Sequence, residues 1–151
     1  MTTIILDART GEYAADGLVV SGDTKISECK KKVLHIDDKV YGVCGETACS
    51  DFLFKELKNG ATELDAVKNL LEIYKNAEFE MIWMQKGNEN RLFSVRESCI
   101  IQETSELYEA TGTGREFALA SLDCGASIED AIKTACKRDL TSGGEIVNGK
   151  L

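Results

Sequence analysis

The order in which hydrophobic periods follow one another along this chain limits its fold more than any single residue does. Stretches with the period-two pattern of strands come first, and two amphipathic helical stretches follow. Strands and a second helix pair then repeat that order before a last short strand. Residues 2–8 read as a strand. Thr10-Gly11 signals a turn, and residues 12–21 are predicted to return beside it as the second arm of a hairpin. Residues 32–36 and 39–44 form another strand pair around the Asp37-Asp38 turn, and Gly45 breaks the second of them.

From residue 46 to 57 the pattern becomes helical, with Phe52, Leu53 and Leu57 expected in the core, and Asn59-Gly60 stops it. Thr62-x-x-Asp65 is a capping-box variant that opens a second helix, whose Leu64, Val67, Leu71 and Tyr74 share a face. Strands are predicted over 79–85, over 91–95 after a Gly87-Asn88 turn, and over 99–102. A third helix starts at Thr113 and carries Phe117, Leu119 and Leu122. Ser127-x-x-Asp130 caps a fourth, with Ile128, Ala131, Ile132, Ala135 and Cys136 on one stripe. Gly143-Gly144 ends the helical region, and residues 145–147 form the last strand.

Each sheet in such a chain has two faces to cover, and each helix pair has one apolar stripe. Two sheets packed face to face, with a helix pair outside each, satisfy every buried face. This is an α+β, four-layer α-β-β-α sandwich. With 151 residues and no linker or low-complexity run, residues 1–151 are expected to form one domain.

A net charge of −8 argues against nucleic acid and anionic membrane as partners. No stretch is long enough to span a bilayer, and no basic-then-apolar signal segment stands at the start. The six cysteines form no Cys-x-x-Cys pair and His35 is the only histidine, so neither a metal site nor a cofactor is expected. The cysteines read as small buried apolar residues of a reducing, cytoplasmic protein.

With one histidine, the chain has few routes to covalent catalysis. Thr2 offers one. Once Met1 is removed, a threonine carries a free amine beside its own hydroxyl, and the amine can act as the base for that hydroxyl. Four further segments hold groups such a nucleophile would need. Asp16, in Ala14-Ala15-Asp16-Gly17, is an acid within an apolar strand and is costly there unless paired. Lys32 enters a strand at the end of a lysine run and can point inward. Paired with Asp16, it would lower the pKa of the Thr2 hydroxyl. Gly42-Val43-Cys44-Gly45-Glu46-Thr47-Ala48 passes from strand to helix and presents backbone N–H groups, with Gly45 the expected oxyanion donor. Thr111-Gly112-Thr113-Gly114 and Asp139-Leu140-Thr141-Ser142-Gly143-Gly144 place hydroxyls among glycines, where they can orient an amine.

Taken together and in this order, these segments resemble the proteasome β-subunit family and, within it, the HslV-type peptidases. The resemblance runs from Thr2-Thr3-Ile4 to Asp139-x-x-Ser142-Gly143-Gly144. It implies an N-terminal-nucleophile hydrolase of the α-β-β-α fold, shortened in its first helix pair and last strand. It implies Thr2 as nucleophile, Asp16 and Lys32 as the supporting pair, Gly45 as oxyanion donor, and Thr113, Asp139 and Ser142 around the amine. Thr113 stands where the family usually has serine. Val43 and Thr47 are expected to line the pocket for the substrate side chain. Glu46 is bulkier and more acidic than the small residue expected there, and would narrow or charge the site. The resemblance also implies a peptide or unfolded-protein substrate, a homo-oligomeric ring, and an ATPase unfoldase as partner. Two other readings use the same residues: a catalytically inactive interaction protein or inhibitor of a peptidase ring, and a small-molecule amidase.

Overall fold

In the computed structural model, residues 2–151 are described, and removal of Met1 concerns a residue outside them. The elements in chain order are Ile4–Asp7 (β1), Glu12–Ala15 (β2), Val19–Ser21 (β3), Thr24–Ser27 (β4), Val33–Ile36 (β5) and Lys39–Gly45 (β6). Thr47–Lys58 (α1), Glu63–Ile73 (α2), Phe79–Gln85 (β7), Arg91–Arg96 (β8), Gln102–Thr104 (β9) and Tyr108–Thr111 (β10) follow. Arg115–Asp123 (α3), Ile128–Arg138 (α4) and Val147–Lys150 (β11) complete the fold.

One antiparallel sheet has the order β10-β1-β2-β11 and the other β5-β6-β7-β8-β9. Alternation along the strands assigns each side chain to a layer. Ile4 and Leu6 of β1 join Val40, Ile82, Met84 and Leu92 of the other sheet in an inter-sheet core. Ile5, between them, points the opposite way and packs with Ala118, Leu122, Ile128, Ile132 and Ala135 of α3 and α4. Tyr41, Val43, Met81 and Trp83 turn from the five-stranded sheet towards Leu53, Leu57, Val67 and Leu70 of α1 and α2. The four layers expected from the order of hydrophobic periods are therefore present. The sheets approach closely where Gly42 faces Ile4: a Cβ on Gly42 would sit 2.6 Å from Ile4 Cγ2.

The helices carry local signals that match their boundaries. Thr62 caps α2 by accepting from Asp65 N at 3.2 Å, and Ser127 caps α4 by accepting from Asp130 N at 3.1 Å. The helix expected from Thr113 begins instead at Arg115, after Gly114. Phe117 is exposed, whereas Ala118 and Leu122 of the same helix reach the core.

Several strands differ from expectation. The predicted strand over 12–21 is interrupted at Asp16-Gly17-Leu18, because Gly17 runs under the backbone of Glu28, where a Cβ would lie 2.4 Å from the Glu28 carbonyl oxygen. Its second half pairs with β4 as a separate hairpin. The strand expected over 99–102 begins only at Gln102, since Cys99 has a φ of 57° in the preceding turn. The last strand lies at Val147–Lys150 rather than 145–147 and joins β2. Tyr74 ends α2 half-turned to solvent. Of the cysteines expected inside, Cys29 and Cys124 are exposed and Cys49 is fully buried.

Candidate active site

The site lies at the end of the sandwich where β1 starts, where β6 runs into α1, and where the β2–β3 connection turns back. It depends first on the break in the second strand. By leaving the ladder at residue 16, the chain places the Asp16 carboxylate, 1% exposed, among donors. Thr3 N donates to Asp16 Oδ1 at 2.7 Å, Leu18 N to Oδ2 at 3.2 Å, and Gly143 N to Oδ2 at 3.0 Å. Lys32 Nζ donates to Asp16 Oδ1 at 2.9 Å and to the Leu18 carbonyl oxygen at 2.6 Å. A buried carboxylate is tolerated when each of its lone pairs meets a donor, and these contacts supply them. Burial pushes the Lys32 ammonium down from its ordinary value of 10.5, against the upward pull of Asp16.

Thr2, itself buried, borders the same space as Lys32. Its backbone N donates to Thr113 Oγ1 at 3.3 Å. Thr113 Oγ1 donates in turn to Asp139 Oδ2 at 2.6 Å and lies 2.9 Å from Thr141 Oγ1. Ser142 Oγ donates to Asp139 Oδ2 at 2.5 Å and lies 2.7 Å from Thr3 Oγ1. Burial alone would raise the Asp139 carboxyl. The hydrogen bonds from Ser142, Thr113 and Thr141 outweigh it and hold the carboxyl below its ordinary 3.8. The packing around this network is tight: a Cβ on Gly114 would lie 2.0 Å from Thr3 Oγ1.

A cavity of about 390 Å³ opens beside Thr2 and Lys32. Val43, Gly45 and Thr47, at the β6–α1 junction, line it. Gly45 has a φ of 117°, and a Cβ there would sit 2.2 Å from the Glu78 carbonyl oxygen, so this strand end requires glycine. The structure thus gathers Thr2, Lys32, Val43, Gly45 and Thr47 around one cavity. Asp16 reaches it through Lys32, and Thr113 touches Thr2. Asp139 and Ser142 join behind Thr113.

Sequence reasoning did not single out Thr3 and Thr141 as members of this network. The Thr2-Thr3 doublet held the signal: in a strand, neighbouring side chains face opposite sides. If Thr2 faces a cleft, Thr3 must find an interior partner, and it does so in Ser142. Among the described residues, no group of three or more His, Cys, Asp or Glu side chains converges as a metal site would require. No helix among them is long and apolar enough to cross a membrane.

No family model and no curated protein matches the sequence. Solved structures do match the fold. One is eukaryotic HslV from Trypanosoma brucei, with a TM-score of 0.73 at 19% identity, over 98% of this chain and 98% of that one. The chain has the proteasome β/HslV-type fold, as its motifs led us to expect.

Proposed function

We propose that this protein is a threonine peptidase whose nucleophile is the Thr2 hydroxyl, acting once the Thr2 amine has been freed. The observation that carries the reading is the buried Asp16–Lys32 pair. It ties the backbone of Thr3 to a cation that lines the cavity beside Thr2. A buried ion pair is weak as a source of stability, because desolvation offsets much of its attraction. Its position beside a nucleophile gives it a second role.

The chemistry follows from the groups present. The Thr2 amine, through a water molecule, takes the hydroxyl proton as Oγ1 attacks a peptide carbonyl. Lys32 stabilises the developing alkoxide, and the Gly45 N–H receives the oxyanion. The C–N bond then breaks. The departing amine leaves with a proton, and an ester to Thr2 remains. Water, deprotonated by the same amine, hydrolyses that ester. An α-amino group has a pKa of about 7.7–8.0 unperturbed, and a cation nearby lowers it, which favours the neutral base at neutral pH. Thr113, held by Asp139, orients the Thr2 nitrogen. Val43 and Thr47 receive the substrate side chain.

The fold's resemblance to ring-forming peptidases supports extending the proposal to a homo-oligomeric ring in the cytoplasm, fed with unfolded protein by an ATPase. Size in solution tests the ring, and a monomer at working concentration contradicts it.

The test of the function is a comparison of the protein with Thr2→Ala on unstructured peptides, with the intact mass of each recorded. The expected result is cleavage by a protein whose first residue is Thr2, and none by the variant. Cleavage that persists in Thr2→Ala overturns the assignment. A protein that keeps residue 1 and cleaves nothing favours the interaction-protein reading instead.

A further inference from the structure

The cavity beside Thr2 carries a charge that the proposed chemistry does not use. Its lining includes two cations and one anion, Lys30, Lys32 and Glu46. Both cations have carboxylate partners. Lys32 is paired with Asp16, and Lys30 is bonded to Asp51. Glu46 differs. Among the described residues, its carboxylate has no hydrogen-bond or ion-pair partner.

Glu46 also breaks a local rule. It occupies the N-cap position of α1, where Ser, Thr, Asp or Asn is preferred because a short side chain can accept from the first turn. Glu46 makes no such bond. Its backbone performs the helix start alone, with its carbonyl accepting from Cys49 N at 3.0 Å and Ser50 N at 3.3 Å. The partial positive charge of the helix start steadies the carboxylate without consuming its lone pairs. A local misfit that leaves a charged group facing a cavity is where function is to be sought.

The remaining walls are apolar on one side. Val19, Val20 and Ile26 come from the β3–β4 hairpin, and Ile26 is 62% exposed. An exposed isoleucine on a cavity wall offers surface that an aliphatic chain can cover. Lysine and arginine side chains combine an aliphatic stem with a cationic head.

Resting on the peptidase reading above, we infer that this cavity selects peptides with lysine or arginine next to the carbonyl that Thr2 attacks, and that Glu46 is the residue that sets this preference. The stem lies along Val19, Val20 and Ile26, and the head meets Glu46.

The test uses three peptide amides that differ only in the residue before the cleaved bond: arginine, leucine or glutamate. The full chain with a free Thr2 amine is expected to favour arginine over leucine in kcat/KM by about tenfold, the scale of a partly desolvated charge pair. Glu46→Gln should bring the two close to equality, and Glu46→Lys should favour glutamate. A second arm measures binding of the same peptides to Thr2→Ala by calorimetry, where no turnover is needed. An arginine preference that depends on Glu46, in either arm, supports the inference. Hydrolysis with neither arm preferring arginine, or with a preference unchanged in Glu46→Gln, overturns it and leaves the peptidase reading standing. Selective binding by a protein that hydrolyses nothing removes the peptidase reading and leaves the cation-selecting pocket in place.

Discussion

Asp16 and Lys32 form one ion pair but are not equivalent partners. If Lys32 is removed, the Asp16 carboxylate still accepts from the backbone N–H groups of Thr3, Leu18 and Gly143. If Asp16 is removed, those three donors and the Lys32 ammonium lose their shared acceptor. Asp16→Ala should therefore destabilise the fold by about 3–5 kcal/mol, the range for breaking a buried pair, and denaturant unfolding measures this. Lys32→Ala should cost less stability, yet lower turnover by about 10²-fold if the cation supports the nucleophile. Equal effects of the two variants on stability would contradict this asymmetry. Asp139 makes a pH prediction. Its carboxyl lies lower in the folded protein than its ordinary 3.8, so it contributes stability that is fully present above pH 3.8 and is lost as pH falls through the folded value. Asp139→Asn should lack that part of the acid sensitivity in thermal unfolding. The charges of Asp16 and Lys32 are legible in the sequence as misplaced polarity, and their pairing is expected from it. The strand break at Asp16-Gly17 on which the contact depends is not, because no alternation pattern marks it.

Among the elements, α1 shows a conflict between stability and specificity. Glu46 leaves its N-cap function unused. Glu46→Ser should stabilise the protein by about 0.5–1 kcal/mol through a new cap bond, seen as a raised Tm, while removing the charge assigned to substrate selection. A lower Tm would show that Glu46 has a structural role. The strands differ in how far the sequence announces them. β7, with Phe79-Glu80-Met81-Ile82-Trp83-Met84, is long and strongly apolar, and its bounds agree with expectation. β10 was not anticipated. Its Tyr108-Glu109-Ala110-Thr111 is only four residues long, with strand-favouring Tyr and Thr around Glu and Ala, and it is fixed as a strand by pairing with β1, Ile4 opposite Thr111 and Asp7 opposite Tyr108. That pairing also brings Thr113 to Thr2. The β3–β4 hairpin is hidden for a related reason: Glu12 to Ser21 reads as one continuous run, and only the Gly22-Asp23 turn beyond it marks where β4 returns.

At the scale of the whole molecule, layers are conserved in form where residues are not. At 19% identity the chain still spans 98% of the Trypanosoma brucei HslV structure, because a sandwich needs alternation in its strands, stripes on its helices and glycines at close approaches, not particular side chains. Those requirements were legible in the order of hydrophobic periods. The proposed site depends on far fewer residues, gathered from the chain just before β1, the β2–β3 turn, the residue before β5, the β6–α1 junction, and the segments before α3 and after α4. The claim on which the account rests is that Thr2 Oγ1 becomes acylated. The most direct measurement is tandem mass spectrometry of the protein quenched in acid during turnover of an activated peptide ester. The account predicts an acyl group on the hydroxyl of Thr2 in a peptide that begins at that residue. Turnover with the acyl group on another side chain, or with Thr2 never modified, would contradict it.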